Sequence, residues 1–278
     1  MKTTQTNSDL VTFIGGGNMA SALIRGLIKN NKPPSDIFVI DTNEETRLKL
    51  SQDFGVICVE EPIINLDWLN SSLIVWAVKS QQMREVCESY SSKLKGSLHL
   101  SVAAGITTNS LCKWLTTERV ARAMPNTPAL IGMGQTALYA SNDVSSKEKA
   151  LIESVIKGTG EFLWLEDEEL INAVTAVSGS GPAYVFYFLE ALTQTGVELG
   201  LTPEQSRRLA IGTFIGASNL ANQSPDSLST LRERVTSKGG TTETALSSLN
   251  NDHVALSFQN AVKSAHSKAR QLGSAFGN

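Results

Sequence analysis

Two short stretches combine residue types that can hold an anion. They are "GGGNMA" at residues 15–20 and "SKGGTT" at residues 237–242. In the first, Gly15, Gly17 and Ala20 match the G-x-G-x-x-G/A spacing, directly after the β-branched run "VTFI" and at the start of a helical pattern. A glycine at position 15 permits a tight turn, and one at position 17 lets backbone approach a pyrophosphate. The helix that follows offers free amides and the positive end of its dipole. In the second stretch two glycines bare the backbone amides, and Ser237, Thr241 and Thr242 add hydroxyl donors. That chemistry suits a carboxylate. "TTETALSSL" reads as a helix starting at the same point, so its dipole would add to the attraction. On residue types alone, each stretch also reads as a plain turn, the second with serine and threonine helix caps.

Asp41 ends a second strand about 20 residues beyond the first glycines, where an acid accepts hydrogen bonds from an adenosine ribose. It would repel the extra phosphate of NADP. Thr42, Asn43 and Arg47 follow and offer partners for that phosphate if Asp41 turns away. Asp41 as a turn residue or cap is equally open, as is the choice between NAD and NADP.

The elements that would position these residues alternate over the first 165 positions. Strands are expected at 11–14, 37–41, 55–59, 73–78, 97–105, 119–126, 136–140 and 161–165, with helical patterns between them. This alternation predicts an α/β fold with a parallel sheet and helices on both faces. After "EDEE" (166–169), read as a solvated boundary, the pattern becomes entirely helical. The expected division is therefore 1–166 and 167–278. "GPAYVFYFLEALTQTGVELGL" is apolar nearly all round, and the short second part points to burial against another subunit. Thr202, Pro203 and Gln205 mark a capped helix start.

With 278 residues and a net charge of -3, the chain has no basic stripe to suggest a nucleic-acid partner. The polar start supports no signal peptide, and the longest apolar run carries Glu190, so no membrane span is expected. Cys58, Cys87 and Cys112 fit neither a zinc pattern nor a full disulfide set, and a reducing cytoplasm is the simplest setting. His99, His253 and His266 share no metal-ligand spacing, so no metal site is expected. His99 lies within a strand and reads as a core or interface residue.

Further segments stand in a fixed order: "AVKSQ" (77–81), "SVAAG" (101–105), "MPNTP" (124–128), "SGSGPAY" (178–184) and "VTSKGGTT" (235–242). With the glycine turn they resemble the pyrroline-5-carboxylate reductases over nearly the whole chain. The last two motifs are specific to that family. The resemblance implies an N-terminal Rossmann-type doubly wound sheet followed by an all-α dimerisation domain. It implies reduction of 1-pyrroline-5-carboxylate to L-proline, the last step of proline biosynthesis, with NADPH or NADH as hydride donor. It implies a homodimer whose copies interlock through helices, with dimers grouping further, often into decamers.

The resemblance also assigns residues. Val235, Ser237, Gly240, Thr241 and Thr242 would line the substrate pocket, with Thr242 orienting the ring nitrogen as the catalytic candidate. Gly15, Gly17, Asn18, Met19 and Asp41 would hold the dinucleotide. Ala77, Lys79, Ala103, Ala104 and Asn126 would lie near its ribose and nicotinamide. Two positions depart from the family: Ser80 and Lys238 stand where proline is usual. Lys238 puts a charge beside the proposed substrate loop.

Two other functions share parts of this pattern. A dehydrogenase of short hydroxy acids has a similar nucleotide half but uses a basic residue after the boundary motif. Residues 171–206 contain no Lys, Arg or His. A nucleotide sensor without catalysis would keep "GGGNMA" and have no use for "SKGGTT".

Overall fold

The computed structural model describes residues 7–61, 71–94 and 96–276. The polar start at 1–6 lies outside them. The chain forms two compact units, Met1–Ser180 together with Ala265–Asn278, and Gly181–Ser264.

The first unit is built on an eight-stranded sheet. Its strands are β1 (Asn7–Ile14), β2 (Ile37–Ile40), β3 (Ile57–Val59), β4 (Ser71–Trp76), β5 (Leu98–Ser101), β6 (Val120–Met124), β7 (Gly134–Ala140) and β8 (Gly160–Trp164). The order is β3-β2-β1-β4-β5-β6-β7-β8. The first six are parallel, as the β-branched runs predicted. β7 runs antiparallel to β6, and β8 is parallel to β7. Residues 125–133 are too few for the crossover of about a dozen residues that a parallel return requires. The chain therefore doubles back.

Strand residues alternate between the two faces, which sorts the core into two apolar layers. Val11, Phe13, Leu73 and Val75 pack with helices α1 (Asn18–Lys29), α2 (Glu44–Phe54) and the later helix Ser146–Ile156. Ile14, Ile74 and Trp76 face the other way, onto Met83–Tyr90 and Thr108–Leu115. Each fully buried side chain of this size contributes about 1.5–3 kcal/mol. Two polar pairs lie within the layers. Thr12 Oγ1 meets Ser71 Oγ at 2.7 Å, and Trp76 Nε1 donates to His99 Nδ1 at 3.2 Å.

The first compact unit runs past the compositional boundary at 166 to Ser180, and it includes the end of the last helix. Specific bonds account for this. Glu168 accepts from Thr108 N and Thr108 Oγ1, both at 2.6 Å, and pairs with Arg122 Nη1 at 2.7 Å. The "EDEE" run is therefore an anchor at Glu168, where a solvated boundary was expected. At the other end, Gly105 and Gly273 approach so closely that a Cβ on Gly105 would stand 3.1 Å from Gly273 N.

The second unit is helical. It contains Gly181–Glu198, Pro203–Gln223, Leu228–Arg234, Thr241–Asn251 and the first part of Val254–Phe276. Thr202 and Gln205 form the expected capping box. No residue of helix Gly181–Glu198 is buried within one chain, and Phe186 and Tyr187 are 64% and 69% exposed. Among the described residues, no helix is long and apolar enough to cross a membrane.

Candidate active site

The first glycine turn sits at the carboxyl end of β1, where the strand order switches between β1 and β4. Gly15 N donates to Ile40 O at 2.8 Å, and Ala77 N donates to Ile14 O at 2.8 Å. Gly15 has φ +96, and a Cβ there would lie 2.7 Å from Ala77 O. Only glycine meets both demands. A Cβ on Gly16 would lie 2.7 Å from Leu50 Cδ1 and 2.9 Å from Thr46 Cγ2. At Gly17 a Cβ would meet nothing within 4 Å. Packing thus fixes the first two glycines, while the third faces open space that a phosphate can enter. Gly17 caps α1 with no side-chain bond, and the first turn of α1 has no acid. Asn18 is exposed there, and the Met19 side chain packs on the core beneath.

Asp41 braces this turn. Its Oδ2 accepts from Gly16 N at 2.6 Å and its Oδ1 from Asn43 N at 2.8 Å. The carboxylate is therefore turned toward the glycines. Arg47 Nη1 donates to Asp41 O at 2.8 Å, and its Nη2 pairs with Glu60 at 3.3 Å. Asn43 caps α2 by accepting from Thr46 N. Of the three candidate phosphate partners, Asn43 and Arg47 are already engaged, and Thr42 is exposed.

Ala77, Lys79, Ala103, Ala104 and Asn126 follow the carboxyl ends of β4, β5 and β6. The parallel sheet brings them to the same edge as Gly15 and Asp41, the usual ligand edge of such sheets. Lys79 is exposed, and its ammonium has no hydrogen bond or ion pair among the described residues. Ser80 Oγ donates to Ala104 O at 2.6 Å and so ties the β4 loop to the β5 loop. Asn126 is buried, with Nδ2 donating to Ser178 O at 3.1 Å and Oδ1 accepting from Gln135 N at 2.9 Å. Its amide holds the "SGSG" segment and β7 in place.

The second cluster lies in the helical unit. Gly239 has φ +72, and its N–H donates to Glu243 Oε2 at 2.6 Å. Gly240 N donates to Ser237 O at 3.0 Å, and a Cβ on Gly240 would lie 2.6 Å from Ser237 Oγ. Gly240 caps helix Thr241–Asn251 with no side-chain bond, so its leading amides are open. The hydroxyls of Ser237, Thr241 and Thr242 have no hydrogen-bond partner among the described residues, and Lys238 has no ion pair. Val235 is 63% exposed. The loop can therefore offer amides, three hydroxyls, one ammonium and one apolar wall to a small anion.

Burial first, and the charge of Arg119 second, lower the His99 pKa to about 3 against a backbone hydrogen bond at Leu94. His99 is a neutral core residue. Burial raises the thiol of Cys58 to about 11 and those of Cys87 and Cys112 to about 12. All three stay protonated near neutral pH.

Sequence reasoning missed Gly16, Glu168, Glu243 and the bond made by Ser80. Gly16 had a signal, since three glycines in a row exceed what the fingerprint needs. Glu243 had one too: an acid three residues after a helix cap reaches back to backbone. Nothing local separates Glu168 from its acidic neighbours.

Two family models match the chain. One, described as pyrroline-5-carboxylate reductase dimerisation, covers residues 168–272. The other, described as NADP oxidoreductase coenzyme F420-dependent, covers residues 10–105. The pyrroline-5-carboxylate reductase of Pseudomonas aeruginosa is 39% identical, with 96% of this chain and 98% of that protein covered. The Arabidopsis thaliana protein of the same name is 33% identical over 94% of this chain and 95% of its own length. The structure of a pyrroline-5-carboxylate reductase from Coxiella burnetii superposes with a TM-score of 0.87 at 37% identity, covering 96% of this chain and 99% of that one. The Plasmodium falciparum pyrroline carboxylate reductase with NADP bound gives a TM-score of 0.86 at 27% identity, over 97% and 99%. On identity across almost its full length, the chain belongs to the pyrroline-5-carboxylate reductase family.

Proposed function

We propose that this protein reduces 1-pyrroline-5-carboxylate to L-proline with NADPH or NADH, as the last step of proline biosynthesis. The observation that carries this reading is the full-length identity to relatives of that name. The residues present fit a dinucleotide: the space above Gly17 is open, and the α1 amides behind it have no side-chain cap. Gly15, Gly17, Asn18 and Met19 hold the pyrophosphate through backbone. Asp41 shapes that turn and borders the ribose. Ala77, Lys79, Ala103, Ala104 and Asn126 frame the nicotinamide end. When bound, the reduced nicotinamide supplies the hydride.

The chain's own part is to hold and orient the substrate. Beside Gly240, the amides of Thr241 and Thr242, with the Ser237 hydroxyl, grip its carboxylate. Val235 covers one face of the ring. Thr242 Oγ1 bonds the ring nitrogen and sets the angle of the imine carbon. Protonating the imine makes that carbon electrophilic, and solvent can provide the proton. Positioning then supplies most of the rate. Residues 1–166 serve the nucleotide, and residues 167–278 serve substrate and self-association. The exposed apolar face of helix Gly181–Glu198 supports pairing of two chains, and dimers group further, up to decamers. Three free cysteines suit a cytoplasmic setting.

The test is oxidation of NADPH and NADH in parallel, with the pyrroline and with short hydroxy acids. Turnover is expected with the pyrroline alone. Tight nucleotide binding with no turnover on any substrate would overturn the reading in favour of a sensor.

A further inference from the structure

On the sheet face opposite α1, the first unit holds a polar cavity of about 290 Å³ whose wall includes Gly105, Asn172 and Gly273. Arg122 alternates along β6 with Ala121 and Ala123, which pack in the α1 layer, so its side chain enters the other face. Arg122 is 5% exposed. Its Nη1 pairs with Glu168, but its Nε and Nη2 donors have no partner among the described residues. At the rim, Arg270 and Glu169 stand 4.0 Å apart and are 64% and 71% exposed. The cavity thus has a deep guanidinium edge with donors to spare and an acid at its mouth.

We propose that this cavity binds a small α-amino acid as its zwitterion. Two arginines and two glutamates line it, so its net charge is zero and a lone anion or cation gains nothing from the sum. A zwitterion gains at both ends. Its carboxylate meets the free edge of Arg122, and its ammonium meets Glu169. Burial disfavours the charged form of Arg122, which Glu168 offsets; a ligand carboxylate would offset it further. The volume suits a molecule of a few heavy atoms. The wall also bears on catalysis, because Gly105 follows Ala103 and Ala104 and touches the last helix at Gly273. Occupancy would therefore shift the loop that frames the nicotinamide.

The experiment is calorimetric titration of the protein saturated with NADP, using L-proline, glycine, acetate and ethylammonium as probes. One site per chain is expected for glycine, and for L-proline one besides the product site at the substrate loop, with acetate and ethylammonium at least tenfold weaker at the cavity. Arg270→Gln and Glu169→Gln should each weaken amino-acid binding at least fivefold, with nucleotide affinity and the KM for the pyrroline within twofold of the parent. Arg122→Lys tests the floor while keeping a charge, and should weaken binding as much. Equal binding of acetate would overturn the proposal, as would no saturable binding of either amino acid. Binding lost in Thr242→Ala but kept in Arg270→Gln would place the ligand on the substrate loop and also overturn it. The titration reads no turnover, so it stands or falls apart from the reductase reading.

Discussion

The two glycine clusters look alike in sequence and are held in different ways. At 15–17 the surrounding protein dictates the glycines: backbone of Ala77 crowds Gly15, and Leu50 and Thr46 crowd Gly16. At 239–240 the crowding is local, from Ser237 three residues before Gly240, and around Gly239 there is open space. The first cluster is a cradle set by the packing of a sheet and two helices. The second is a short loop held by Gly239 to Glu243 and Gly240 to Ser237. A dinucleotide is a large ligand that needs a shaped edge. A small anion needs only a few open donors, and a local loop can present them.

The largest effect should come from pitting the first glycines against each other. Gly15→Val forces a branched side chain onto φ +96 and into Ala77 backbone. A stability loss of at least about 3 kcal/mol is expected, from strain and overpacking together. At Gly17 the added Cβ has no protein atom within 4 Å, so for Gly17→Val thermal stability should stay within a few degrees of the parent. Its side chain would instead fill the phosphate space, and nucleotide affinity should fall about a hundredfold or more. Denaturant melts and dinucleotide titrations on both variants check this. Equal stability losses would erase the distinction between a packed glycine and a ligand-facing one.

Acid should attack the frame of the first cradle. His99 is held neutral in β5, beside the strand that leads into Ala77, with its pKa lowered from 6.5 to about 3. Between those values the unfolded chain binds a proton that the folded chain refuses. The stability contribution is complete above pH 6.5 and is lost as pH falls toward 3. Between pH 6.5 and 5 this one group should cost up to about 2 kcal/mol. His99→Asn keeps an acceptor for Trp76 Nε1 and removes the titration, so its stability should change less over that interval. Urea melts at the two pH values decide it, and an unchanged slope in the variant would remove His99 from the acid response.

How far each cluster was legible follows from the same contrast. The strands were read correctly because buried parallel strands are continuous β-branched runs, as in "IFVI" and "LIVW". The glycine turn was legible because a strand and a helix flank it. The antiparallel β7 was not read, although the short stretch 125–133 between β6 and β7 held the clue. Glu168 and the Arg122 cavity were illegible, since they depend on residues 46 positions apart meeting across the fold. Asp41 was visible as a candidate, but its orientation toward Gly16 is a matter of three dimensions. The second cluster stood out by composition, and the family resemblance gave it a role. Its open hydroxyls and the reach of Glu243 needed coordinates.

The smallest effects should separate two roles within the second loop. Thr242 has a free hydroxyl, and Glu243 beside it spends its carboxylate on Gly239 N. If Thr242 orients the ring nitrogen, Thr242→Ala loses a hydrogen bond to a charged group, worth about 1.5–3 kcal/mol. That is roughly ten- to a hundredfold in kcat/KM, and it should fall mainly on kcat because the bond matters most as the imine reacts. Glu243→Ala removes only the clasp on Gly239. The loop then spends binding energy on ordering itself, about 1 kcal/mol, so KM should rise roughly fivefold with kcat nearly intact. Glu243→Gln keeps an acceptor for Gly239 N and should recover most of that loss. Steady-state kinetics at saturating nucleotide reads both parameters for all three variants. If Thr242→Ala raised only KM, Thr242 would join the carboxylate grip and lose its orienting role. If Glu243→Ala lowered kcat as much as Thr242→Ala, the loop would act as one unit, and the division between a free donor and its local brace would fail.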